Sequence, residues 1–242
     1  MEKKPRNKKL LRESLGIEGV NNMVQGGLPE SSVIGLSGPP GVGKSILSLH
    51  FLLEGARQNQ KCVYLNLEEP RKNINNMINE FSFSKEFFQF EKKGLIIIKC
   101  LEYSEYEKIY SELLERIKKD KKIKRLVIDS FNGFFSSIEV TNNQQTITSI
   151  RRMINESFSH LRRAGLTSIL ILEKPNEDCA AKEENFNYHI PYLVDGIIKL
   201  DFLDLGIIER RIFIPKMRWT NQFKESKNYE ISNKGIEIIE ED

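Results

Sequence analysis

The chain has 242 residues, 39% of them hydrophobic and 29% charged, enough to bury a core and too apolar for the disordered class. Its formal charge of +3 is too small to imply nucleic acid, and no run of about 18 apolar residues offers a membrane-spanning helix. The first residues lack the apolar stretch of a secretory signal, and Cys62, Cys100 and Cys179 show no metal spacing, so a reduced cytoplasmic protein without cysteine chemistry is expected.

In chain order, residues 1–14 read as a basic, mobile arm carrying Lys3, Lys4, Arg6, Lys8, Lys9 and Arg12, residues 15–239 as one domain, and residues 240–242 as an acidic tail. An apolar strand at 33–37 runs into a glycine-rich turn and then a helix at 44–58. Strands follow at 62–67, 95–100, 125–129 and 167–173, with helices at 71–90, 105–119 and 144–164 between them. In 105–119, Ile109, Leu113, Leu114 and Ile117 share one face. The basic run 118–125 reads as a solvated loop after a helix end, and Arg151, Arg152, Arg162 and Arg163 read as a solvated helix face. Residues 174–189 form a long loop of mixed charge. The segments 196–200, 207–217, 229–232 and 235–239 are short strands without helices, expected to be antiparallel and to extend the same sheet. Continuous apolar strands separated by helices mean an α/β fold, a mostly parallel sheet covered on both faces.

The turn after the first of these strands reads Gly38-Pro39-Pro40-Gly41-Val42-Gly43-Lys44-Ser45, with Ile46 opening the helix, and matches the phosphate-loop pattern at every fixed position. Glycines let successive N–H groups point at phosphate oxygens, and the helix start adds its own unpaired donors. Lys44 is expected on the β- and γ-phosphates of ATP and the Ser45 hydroxyl on Mg²⁺. Asp129, at the end of an apolar strand, is the expected second acid on the metal side; its bland alternative is a turn cap. Glu68 and Glu69 follow strand 62–67, where ligands collect in such sheets, so one of them is a candidate general base. Equally, both could serve only the positive N-terminus of the helix beginning near Arg71. His50, His160 and His189 show no ligand spacing.

Read as an ordered series, these motifs resemble the KaiC-type ATPases of the RecA superfamily, and in particular the single-domain KaiC-like proteins common in archaea. The resemblance runs from Gly16-Ile17-Glu18-Gly19-Val20 and Gly26-Gly27-Leu28-Pro29 through the phosphate loop, Leu67-Glu68-Glu69 and Val127-Ile128-Asp129-Ser130. It continues to Val194-Asp195-Gly196, Lys216-Met217-Arg218 and Gly235-Ile236. It implies a RecA-like core that assembles into a ring, usually a hexamer, with ATP between subunits. It also implies that Glu68 and Glu69 activate water, and that Lys216 and Arg218 reach a neighbour's γ-phosphate. On an extended strand, residues two apart point the same way, so both cations could meet one phosphate. Glu173 matches a possible γ-phosphate sensor. Two departures stand out: Asn21 replaces a usual acid, and Trp219 replaces a usual glycine beside Arg218. Only one phosphate loop is present, so the autokinase function of the tandem clock protein is not carried over.

Three functions remain open on sequence: a Mg-dependent, slowly hydrolysing ATPase acting as an oligomeric switch for an unidentified protein partner, a DNA recombination or repair accessory, and a non-hydrolysing scaffold held together by ATP. The loop at 174–189 mixes Lys174 and Lys182 with Glu177, Asp178, Glu183 and Glu184, which does not favour a strand-binding groove.

Overall fold

The computed structural model describes residues 10–100, 112, 115, 117, 119–131, 144–173, 186–204 and 208–239. In order, these form β1 (Arg12–Glu13), α1 (Glu18–Met23), β2 (Leu28–Pro29), β3 (Val33–Gly38), α2 (Lys44–Arg57), β4 (Lys61–Asn66), α3 (Arg71–Asn79) and α4 (Ser84–Lys92). There follow β5 (Ile96–Cys100), β6 (Ile123–Asp129), α5 (Gln144–Arg163), β7 (Thr167–Glu173), α6 (Phe186–Leu193), β8 (Gly196–Asp204), β9 (Ile208–Met217), β10 (Lys227–Ser232) and β11 (Gly235–Ile238). Nine strands make one sheet in the order β11-β10-β9-β8-β3-β7-β6-β4-β5.

From β5 to β8 every pairing is parallel, whereas β9, β10 and β11 continue the sheet antiparallel. The parallel strands are apolar on both sides, and successive residues feed two separate cores. Leu36, Tyr64 and Val127 join Leu47 and Phe51 of α2 on one face. Val33, Val63, Leu65 and Leu126 join Ile154, Phe158 and Leu161 of α5 on the other. Strand alternation thus places a helix on each face of the sheet. Truncating Phe51 or Phe158 to alanine would cost about 3–5 kcal/mol.

Several expectations are corrected. The segment 196–200 was expected to be antiparallel, which holds on the edge that β8 shares with β9 but not on the other, where it pairs in parallel with β3 from Ile34↔Gly196 to Ser37↔Lys199. It is also longer than expected, and α6 precedes it. The single helix expected at 71–90 is two, because Phe81 and Phe83 turn into the core with rings 5.1 Å apart. There the Ser82 N–H leaves the helical pattern and donates to Asn233 O at 2.7 Å.

Arg125, expected on a solvated loop, is 0% exposed. Its guanidinium donates to Glu13 Oε2 (2.8 Å), Ser14 O (2.6 Å), Phe51 O (2.8 Å) and Gln60 Oε1 (2.7 Å), and it lies 4.6 Å from the Phe51 ring centroid. The same contacts correct the mobile arm: residues 12–14 are anchored, with β1 paired to β2 and Glu13 in the buried ion pair. Residues 1–9, 174–185 and 240–242, and Ile109, Leu113 and Leu114, lie outside the described residues, and the end of the loop expected at 174–189 is instead the start of α6.

Candidate phosphate-binding site

The turn between β3 and α2 is shaped by its glycines. Gly41 has φ 77° and Gly43 φ 101°, conformations glycine takes without steric cost. A Cβ on Gly38 would lie 2.3 Å from Leu200 O, so only glycine fits there. In front of Gly41 there is open space, and no side-chain cap closes the start of α2, the kind of helix end at which anions bind. Lys44 Nζ lies over the loop, donating to Gly38 O at 2.9 Å and Pro39 O at 3.1 Å.

The hairpin of β10 and β11 supports this loop from behind. Tyr229 OH donates to Val42 O at 2.5 Å, and Ile231 packs so close that a Cβ on Gly43 would meet it at 3.0 Å. The Ile236 N–H donates to His50 Nε2 at 3.1 Å. Burial pushes His50 down to about 4, which keeps that nitrogen an acceptor.

At the carboxyl end of the parallel strands, Asp129 Oδ2 accepts from Ser45 Oγ at 2.8 Å and from Tyr64 OH at 2.5 Å. Burial pushes the Asp129 carboxyl up, the two hydroxyl donors pull it back, and the Glu68 charge raises it slightly further. Burial and the Asp129 charge hold the Tyr64 phenol well above its usual range, so it remains a proton donor. The register pairs Asn66 with Asp129. Asn66 Oδ1 accepts from the N–H groups of Glu68 (3.1 Å) and Glu69 (2.7 Å), which fixes the turn from which both exposed glutamates project. Ser45 and Asp129 are hard oxygen donors at the edge of the phosphate loop. Such a pair suits Mg²⁺, which keeps waters and substrate oxygens in the rest of its shell.

Lys216 and Arg218 lie elsewhere. Arg218 N bonds Asp195 O, and Asp195 N bonds Val33 O, so Arg218 is level with the start of β3. Five residues, roughly 16 Å of strand, separate that level from Gly38. The same-side expectation needs correction, because β9 ends at Met217 and Arg218 sits in the following turn. Even so, both side chains converge on the junction of α6 and β8. Lys216 Nζ donates to the carbonyls of Pro191 (2.9 Å) and Val194 (2.7 Å), closing the end of α6. Arg218 Nη1 reaches Asp195 Oδ1 at 3.1 Å. Asp195 Oδ2 accepts from Arg162 Nε at 2.8 Å and from Val33 N at 3.0 Å. Arg162 is therefore engaged with a buried acid, not part of a solvated face.

The structure thus brings Lys44, Ser45 and Asp129 together beside the Glu68–Glu69 turn, and holds Lys216 and Arg218 at the opposite end of the sheet. The side chain of Glu173 lies outside the described residues. Tyr64, Asn66 and Tyr229 went unselected on sequence, and Asp195 stood there only within a family motif, with no role of its own. An alternating tyrosine in a strand reads as core, and only the β4–β6 register reveals its partner.

A family model described as "ATPase: KaiC" matches residues 14–242. A UPF0273 protein of Thermotoga maritima is 28% identical, covering 94% of this chain and 95% of its own length. A circadian clock oscillator protein KaiC of Rippkaea orientalis is 26% identical over 94% of this chain, which corresponds to 42% of that protein. Among solved structures, a KaiC-like protein of Pyrococcus horikoshii matches with a TM-score of 0.76 and 26% identity, covering 96% of this chain and all of that one.

Proposed function

The chain belongs to the KaiC family of ATPases and carries a nucleotide-binding ATPase domain, and on that premise we propose that it is a Mg-dependent ATPase whose slow turnover switches a homo-oligomeric, hexameric ring. The observation that carries this reading is the Ser45–Asp129–Tyr64 cluster beside an uncapped helix start and open phosphate loop.

The amides of Gly41 to Lys44 and the Lys44 ammonium take the β- and γ-phosphates, as Gly38, Pro39 and Pro40 bend the chain around them and Val42 and Ile46 anchor the loop's flanks. Ser45 and Asp129 would hold the metal, and the Tyr64 hydroxyl, which donates to Asp129, would keep that carboxylate oriented. When bound, Mg²⁺ neutralises charge on the phosphate oxygens. Glu68 or Glu69 takes a proton from water as its oxygen bonds the γ-phosphorus. The bond to the β–γ bridging oxygen breaks, giving ADP and phosphate.

Arg218, with Lys216 behind it, serves the γ-phosphate of a neighbouring subunit. Its distance along the sheet from its own phosphate loop supports that assignment. A guanidinium supplied this way can contribute ~10³–10⁵ in rate, so an isolated subunit turns over slowly.

Calorimetry with Mg·ATP paired with phosphate release tests the proposal. Wild type should bind and turn over ATP, and a Glu68→Gln/Glu69→Gln variant should bind it with little turnover. Binding without turnover in wild type would favour the scaffold, and turnover stimulated by single-stranded DNA would favour the recombination accessory.

A further inference from the structure

Trp219 combines two properties uncommon for a large aromatic residue. Its backbone has φ 56°, a left-handed conformation in which a bulky aromatic residue is an outlier, and its side chain is 63% exposed. The turn that carries it is pinned from several directions. Arg218 N donates to Asp195 O (2.8 Å), Arg12 to Trp219 O (3.4 Å) and Thr220 Oγ1 (3.1 Å), Asn221 N to Gln25 Oε1 (3.3 Å), and Phe223 N to Met23 O (2.9 Å). The strained residue is held in place by N-terminal segments distant in sequence. Such over-determined outliers gather where a surface meets a ligand.

The neighbours of Trp219 indicate what it meets. Arg218, immediately before it, has a side chain 46% exposed and shares the single charge of Asp195 with Arg162. With Arg12 on the same turn and Lys216 beside it, the surroundings of Trp219 carry more positive than negative side chains. The other end of the sheet presents exposed Glu68 and Glu69 and the phosphate loop. Once a polyphosphate fills that loop beside Glu68 and Glu69, the two ends carry opposite sign and match another copy of the chain head to tail, the arrangement that closes into rings. Tryptophan and arginine are also among the residues enriched at the energetic centres of such contacts.

We propose that Trp219 is an anchor of the subunit interface, inserting against a second copy of this chain beside its phosphate loop and its Glu68–Glu69 turn. This rests on the ring reading given above and adds the residue that carries the contact. The turn places the ring so that docking needs no further ordering of the chain.

The sequence contains one tryptophan, so intrinsic fluorescence reports this position alone. The full chain is titrated with Mg²⁺ and a slowly hydrolysed ATP analogue, with solution mass, emission wavelength and iodide quenching recorded on the same samples. Emission should move to shorter wavelength and quenching should fall several-fold as the mass rises. A larger assembly in which Trp219 stays as exposed as before overturns this inference and leaves the ring reading standing. Failure to assemble under any nucleotide condition overturns both. Glycine adopts φ 56° without strain, so Trp219→Gly should fold with an unchanged or higher thermal midpoint. It should need at least about tenfold more protein for half-assembly, ~1.4 kcal/mol. Assembly equal to wild type would also overturn the inference.

Discussion

The two ends of the parallel strands solve different problems with similar residues. At the carboxyl end, Ser45, Tyr64 and Asp129 form a closed set of hydrogen bonds within one subunit, with the phosphate loop clamped by Tyr229 and Ile231. At the amino end, Asp195 divides one buried charge between Arg162 and Arg218, and the adjoining Trp219 stands out in solvent. The first end is prepared to receive a small anion, and the second is prepared to be received by something else. A single subunit is therefore expected to bind nucleotide fully and to react with it poorly.

Four measurements would break or sharpen that contrast. The largest expected effect is on Arg218→Ala: turnover should fall by about 10³, with ATP affinity unchanged by calorimetry. A variant with normal turnover would give both functions to the carboxyl end. Lys44→Ala should lower ATP affinity by about a hundredfold, ~3 kcal/mol, through loss of charge-assisted bonds to phosphate. Unchanged affinity would remove that end as the site.

Acid should separate the ends more gently. The folded pKa of His50, about 4, lies below its unfolded value near 6.5, so its contribution is complete above pH 6.5 and is lost as pH falls towards 4. Near pH 5 the loss amounts to about 2 kcal/mol. Hydrogen exchange should show it first around Ile236 and the phosphate loop, while the arginine-held amino end stays protected. Equal loosening at both ends would refute the assignment to His50.

The smallest effect belongs to Tyr64→Phe, about 1–2 kcal/mol of stability for one buried hydrogen bond, measured by denaturant titration. Because that bond lowers the Asp129 pKa, the acid limb of ATP turnover should also move to higher pH. An unmoved limb would reduce Tyr64 to a packing residue.

What could be read from the sequence follows the same division. The phosphate loop is eight consecutive residues whose backbone geometry is local, so its pattern and the strand and helix around it were legible. Asp129 was legible because an acid closing an apolar strand stands out. Tyr64, Asp195 and Arg125 were not, since their meaning depends on partners 65, 33 and 112 positions away. Apolar periodicity carries no information about such pairings. It also could not show that Phe81 and Phe83 would break a helix by turning inward, or that a strand following α6 would pair in parallel with β3. The glycine expected next to Arg218 proved informative by its absence, because Trp219 occupies the backbone conformation that glycine favours.

The contact between Tyr229 and Val42 has a consequence in time as well as space. A loop encoded near residue 40 receives its support from a hairpin encoded near residue 230. During translation the central strands can begin pairing while that hairpin is still inside the ribosome, but the loop lacks its contacts with Tyr229 and Ile231 until β10 and β11 emerge. Newly made chains therefore complete their grip on nucleotide only after the hairpin, 187 positions beyond Val42, has been made.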